Sequence, residues 1–214
     1  STYRSSELRP SLYINARHHA NEVSSTNAAY LLAEMALEKP ELLDKVNLVV
    51  LPMENPDGSE IHAQLMEEHP DWIFHIARFN ALGKEFSLEY FKDETIHTEA
   101  LPLGHIFHRH LPDVYIDNHG VPTHEWNQQF SGYTAPAYKG FWLPRSLLYG
   151  YFWYPEGDKW EANYNFAKAM EDRIADGINR RQEMRDLNLE WKDRFEKYAH
   201  QWMPKMFPTG YYKD

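Results

Sequence analysis

Ser11–Ala16 (Ser-Leu-Tyr-Ile-Asn-Ala) alternates apolar and polar side chains, the period-two pattern of a strand. It runs directly into Arg17-His18-His19. The following segment, Glu22–Glu38, predicts a helix with an apolar stripe of Val23, Tyr30, Leu31 and Met35, interrupted by Glu34 and stopped by Pro40. Val46–Leu51 (Val-Asn-Leu-Val-Val-Leu) is almost continuously apolar, as expected of a strand buried on both faces. Strand, helix and strand in that order form a βαβ unit, which favours parallel pairing and a right-handed crossover.

Asn55-Pro56-Asp57-Gly58 predicts a turn, and the chain from there to Leu111 reads as a mixture of helix and loop. Asp113–Asn118 predicts a third strand, ending at His119-Gly120. Trp126–Pro155 is rich in aromatic residues, Gly and Pro and reads as long loops. Lys159–Asn179 and Arg180–Met203 predict amphipathic helices, the second packing Met184, Leu187, Trp191, Phe195, Tyr198 and Trp202 on one face. The expected fold is α/β, a mixed, mostly parallel sheet flanked by helices, in one domain spanning 1–214. Three strands are few for such an enzyme, which leads to the expectation that the domain is incomplete at its ends.

Composition narrows the function. At 43% hydrophobic and 15% aromatic residues, the 214-residue chain can bury a core. A net charge of −10 argues against a nucleic-acid backbone or an anionic membrane surface as partner. No apolar run reaches the roughly 18–20 residues that span a bilayer. No basic-then-apolar leader opens the chain, and the compartment stays open, with a secreted or periplasmic setting favoured. Cysteine is absent, which removes disulfides, thiolate metal sites and cysteine nucleophiles together. The 12 histidines turn attention to a metal held by imidazole and carboxylate, a donor set that suits zinc among others. Neither a glycine-rich phosphate loop nor a Gly-x-Ser-x-Gly elbow is present.

His19-Ala20-Asn21-Glu22 sits where the first strand hands over to a helix. Donors at i and i+3 across such a junction can converge on one ion, because strand ends face the crevice of an open α/β sheet. Catalytic zinc takes three protein ligands, often two close in sequence and one distant, and His119 at the end of the third strand is the natural distant one. Taken alone, His-x-x-Glu reads more readily as a helix N-terminus with a favourable Glu in its first turn than as a metal site.

The ordered set is more specific. Strand–His-x-x-Glu–helix, then a strand followed by Asn-Pro-Asp-Gly, then strand–Asp-x-His-Gly resembles the zinc carboxypeptidase family, the carboxypeptidase A-like metallopeptidases, over about Leu12 to Trp126. The resemblance implies a Zn2+ ion on His19, Glu22 and His119, which polarises the scissile carbonyl and activates a water, with a glutamate as general base. It also implies a peptide or peptide-like substrate with a free C-terminal carboxylate. Arg78 and Asn80 fall where the family places substrate-binding residues, and a guanidinium fork suits a carboxylate or oxyanion. The family's glutamate base lies on a late strand, whereas here that distance falls within Arg180–Met203. The chain is therefore expected to stop before the base; Glu125 is close to His119 in sequence but does not stand at the family's position for it.

Other groupings compete. His105, His108 and His110 offer helical spacing but read as surface or capping histidines. His18 is expected to face away from His19. Asp117 reads equally as an orienter of His119 or as a solvated strand-end carboxylate, and His124-Glu125-Trp126 and Phe141–Pro155 as segments lining the site or packing on the core. Alternative functions are an amide hydrolase acting on N-acyl amino acids or cell-wall peptides, and a non-catalytic zinc- or peptide-binding module. Self-association through an open sheet edge is a further expectation.

Overall fold

The structure is a computed structural model that describes residues 9–71, 77–119, 158–186 and 189–190. The loops expected over Trp126–Pro155 and most of the helix expected over Arg180–Met203 lie outside them. The chain divides into two compact units, Ser1–His124 and Glu125–Asp214.

The first unit is built on three strands, β1 (Ser11–Ala16), β2 (Asn47–Leu51) and β3 (Val114–Asn118), in the order β2-β1-β3. Both pairings are parallel, with Tyr13 opposite Val49 on one side and Tyr115 on the other. Helix α1 (Ser24–Glu38) makes the crossover from β1 to β2 and packs on both strands. Helices α2 (Pro56–Glu68) and α3 (Leu101–His110) lie between β2 and β3 in the chain. The expected α/β architecture is present, and among the described residues its sheet is parallel throughout.

Burial follows strand position rather than strand composition. β1 is central, so its polar Ser11 and Asn15 are as buried as its apolar Tyr13, Ile14 and Ala16. The apolar β2, expected to be covered on both faces, is only partly buried along its length, because among the described residues it is an edge of the sheet.

Two further expectations are corrected. The apolar stripe of α1 does not face the sheet: Val23, Tyr30, Leu31 and Met35 are exposed, and Ser25, Thr26, Ala29 and Ala36 are buried instead. Hydrogen bonds set that rotation. Ser25 Oγ donates to Glu22 O at 2.9 Å and accepts from Arg17 N at 3.1 Å, while Thr26 Oγ1 donates to Pro52 O at 2.9 Å. Small side chains then let the helix lie close to the strands. Asn55-Pro56-Asp57-Gly58 opens α2 rather than forming a free turn, with Asn55 as N-cap accepting from Gly58 N at 3.0 Å, Pro56 at the first position and Asp57 in the first turn.

In the second unit, a short 3₁₀ turn (Asp158–Trp160) leads into α4 (Glu161–Asn179), close to the helix expected over Lys159–Asn179. Ile178 is its buried apolar anchor. No helix among the described residues is long and apolar enough to cross a membrane.

Candidate metal centre

β1 connects to β2 on one side, and the chain later returns to β3 on the other. The carboxyl end of β1 is therefore a topological switch point, where α/β sheets open a crevice. Ala16 and Asn118 are register partners there, so the residues leaving β1 and β3 emerge side by side. Arg17 takes a left-handed conformation, φ 60°, a strain of about 1–3 kcal/mol for a non-glycine residue. That kink ends the strand and begins a tight turn closed by Glu22 N donating to His19 O at 3.0 Å.

His19, Glu22 and His119 meet at this end of the sheet. His19 Nδ1 lies 2.8 Å from Glu22 Oε1, His119 Nδ1 lies 3.0 Å from Glu22 Oε2, and the two Nδ1 atoms are 3.2 Å apart. Glu22 is buried, His19 nearly so, and His119 about one-third exposed, which leaves one side open. Zinc bonded tetrahedrally at roughly 2.0–2.1 Å holds neighbouring donors about 3.3 Å apart, close to the spacing of these three.

The outer nitrogens are each held by a carboxylate, which leaves Nδ1 of both rings facing Glu22 as the atom able to ligate a metal. His19 Nε2 is 2.9 Å from Glu85 Oε2 and His119 Nε2 is 3.0 Å from Asp117 Oδ2. A carboxylate on Nε2 keeps the proton there and turns the Nδ1 lone pair inward, the usual support of a metal-ligating imidazole. Each Nδ1 also faces a Glu22 oxygen, at 2.8 Å and 3.0 Å, an arrangement that calls for a cation between them, either a proton on Nδ1 or a metal ion in its place. The electrostatics agree. Burial alone would lower the His119 pKa, yet its bonds to Asp117 and Glu22 raise it to about 10, and His119 and His19 hold the Glu22 carboxyl far below its ordinary range despite burial. A site that grips a proton this way favours any cation there. The donor set and its spacing fit zinc.

Arg78 Nη1 donates to Glu22 Oε1 at 3.0 Å, and Arg78 O accepts from Ala20 N at 3.1 Å, so the loop after α2 is joined to the ligand turn through both backbone and side chain. Asn80 is buried. Its Oδ1 accepts from Leu82 N and Lys84 N, and its Nδ2 lies 3.0 Å from His97 Nδ1. Asn80 thus shapes the loop that carries Arg78. Glu125 lies outside the described residues.

Sequence reasoning missed the group around His18. Its ring does not turn away from His19: the two centroids are 4.8 Å apart, and Glu85 bonds both rings. Glu54, fully buried, accepts from Asn15 Nδ2 at 2.6 Å and Tyr90 Oη at 2.6 Å and lies 3.1 Å from His18 Nδ1. Between these two carboxylates His18 is held up to about 9, against the opposing effect of burial. The double histidine and a glutamate directly before Asn55 were the available signals. Nothing local showed that Glu85 and Tyr90, more than 60 residues on, would complete the group. His105, His108 and His110 on α3 are exposed, as surface histidines are.

Residues 1–101 match the model of the zinc carboxypeptidase family, in agreement with the motif resemblance and covering His19, Glu22, Arg78 and Asn80. No curated protein and no solved structure matches the chain.

Proposed function

We propose, from the zinc carboxypeptidase match of its first 101 residues, that this protein is a zinc-dependent metallocarboxypeptidase acting on the C-terminal bond of peptide or peptide-like substrates. The observation that carries the reading is the meeting of His19 Nδ1, His119 Nδ1 and the Glu22 carboxylate at the switch point of the sheet.

His19, Glu22 and His119 would hold the ion. Bound zinc supplies Lewis-acid polarisation of the scissile carbonyl and acidification of a water. Glu85 and Asp117 keep the protons of His19 and His119 on Nε2, so that both ligands present neutral Nδ1. Arg78, hydrogen-bonded to Glu22 and one-quarter exposed, is the residue assigned to a substrate carboxylate or oxyanion. Asn80 sets the loop that positions it. If the general base lies within this chain, Glu125 is its candidate.

A second reading, amide hydrolysis at the same centre, is favoured by one observation: the Arg78 guanidinium is engaged with Glu22 rather than turned to solvent alone. Hydrolysis of a peptide with a free C-terminus tests the shared core of both readings. Activity should vanish on chelation and return with zinc, and chelator-resistant hydrolysis would overturn the metal assignment.

A further inference from the structure

We propose that His18 is a positioning residue for the metal centre: anchored by Glu54 and Tyr90, it fixes Glu85, and Glu85 fixes the imidazole of His19. This rests on the metal-centre reading above. His18 is buried and uses both ring nitrogens. Nδ1 faces Glu54 Oε2 at 3.1 Å and Tyr90 Oη at 2.8 Å, and Nε2 bonds Glu85 Oε1.

The anchor is buried and hydrogen-bonded on several sides. Glu54 N donates to Ala16 O at 2.9 Å, tying it to the end of β1, and its carboxylate is satisfied by Asn15 and Tyr90 as well as His18. A wholly buried carboxylate is costly to retain without such partners. Phe86 packs against the ring, with centroids 4.4 Å apart.

Glu85, by contrast, is about one-third exposed at the start of a short 3₁₀ turn. Its Oε1 accepts from Ser87 N at 3.2 Å, a single long bond from its own turn, and His18 adds a second partner on the same oxygen. With Oε1 taken by His18, Oε2 is aimed at His19 Nε2, 2.9 Å away. Such an outer carboxylate sets the orientation and basicity of a ligating imidazole, and its loss typically weakens metal affinity about 10–100-fold. The effect of His18 is exerted through that carboxylate.

The test is a double-mutant cycle on the full chain, reading zinc Kd by chelator competition and the visible absorption of the cobalt(II)-loaded protein. His18→Ala and Glu85→Ala should each weaken zinc binding by about 10–100-fold and alter the cobalt spectrum. The double variant should be no weaker than Glu85→Ala. His18→Gln, which keeps a donor, should recover part of the affinity and serves if the alanine variant does not fold. Unchanged affinity and spectrum in both His18 variants, or additive losses in the cycle, would overturn the proposal. So would two zinc ions per chain falling to one in His18→Ala, since His18, His19 and Glu85 would then be a second metal site. Zinc retained by His119→Ala would instead overturn the metal-centre reading on which the proposal stands.

Discussion

Gly58, in the first turn of α2, lies against the carbonyl oxygen of Phe79 so closely that a Cβ at position 58 would overlap it, and would stand 2.7 Å from Asn55 Oδ1 and 2.8 Å from Ala20 Cβ. The glycine joins three parts of the site wall: the cap of α2, the loop carrying Arg78, and the turn between His19 and Glu22. Gly58→Ala should destabilise the protein by about 1–3 kcal/mol, the usual cost of overpacking, and should weaken substrate binding by shifting Arg78. Denaturant midpoints and KM measure the two effects, and wild-type values for both would show that the contact is soft.

Metal content provides the second prediction. The protein should hold about one zinc per chain, and His19→Ala and His119→Ala should each lose it. His108→Ala, on the exposed face of α3, should keep it. Elemental analysis after gel filtration decides, and retention in both ligand variants would contradict the site.

The third prediction concerns pH. His18 is pulled up to about 9 from an ordinary 6.5, so the native chain keeps a proton that the unfolded chain releases. Its contribution to stability is complete below 6.5 and is lost as pH rises through about 9. Glu22 has the opposite sign: its depressed pKa contributes above the ordinary 4.5 and is lost on acidification well below it. The metal-free protein should therefore lose unfolding free energy from pH 6.5 to 9, and His18→Ala should lose less over the same interval. Urea titrations across that range check the slope. Equal slopes for the two proteins would remove His18 as its source.

Substrate recognition provides the fourth. If Arg78 binds a terminal carboxylate, amidating the substrate should lower kcat/KM by roughly 10–100-fold, the equivalent of a charge-assisted hydrogen bond of about 1.5–3 kcal/mol. In Arg78→Ala the free and amidated peptides should be cleaved at similar rates. Equal rates with the unaltered protein would favour the amide-hydrolase reading.

The three strands were legible in the sequence to within a residue, because a run of β-forming side chains bounded by turn residues carries its own local signal. So was the pairing of His19 with Glu22, since three residues across a strand end leave few other geometries, and His119 followed from its place after a strand. The face of α1 was not legible. Hydropathy pointed to Tyr30 and Leu31, but Ser25 and Thr26 hold hydrogen bonds to the strand ends, and those bonds set the helix rotation. The partial burial of β2 depended on its edge position, which no property of its own residues encodes. His18, Glu54, Glu85 and Tyr90 are likewise ordinary residues in sequence. Chain order and side-chain chemistry by themselves pointed to the three strands and to His19, Glu22 and His119 as candidate donors. Tertiary structure alone decided which polar groups are buried together, because a carboxylate or an imidazole draws its orientation and its charge from partners that only the folded chain brings within 3 Å.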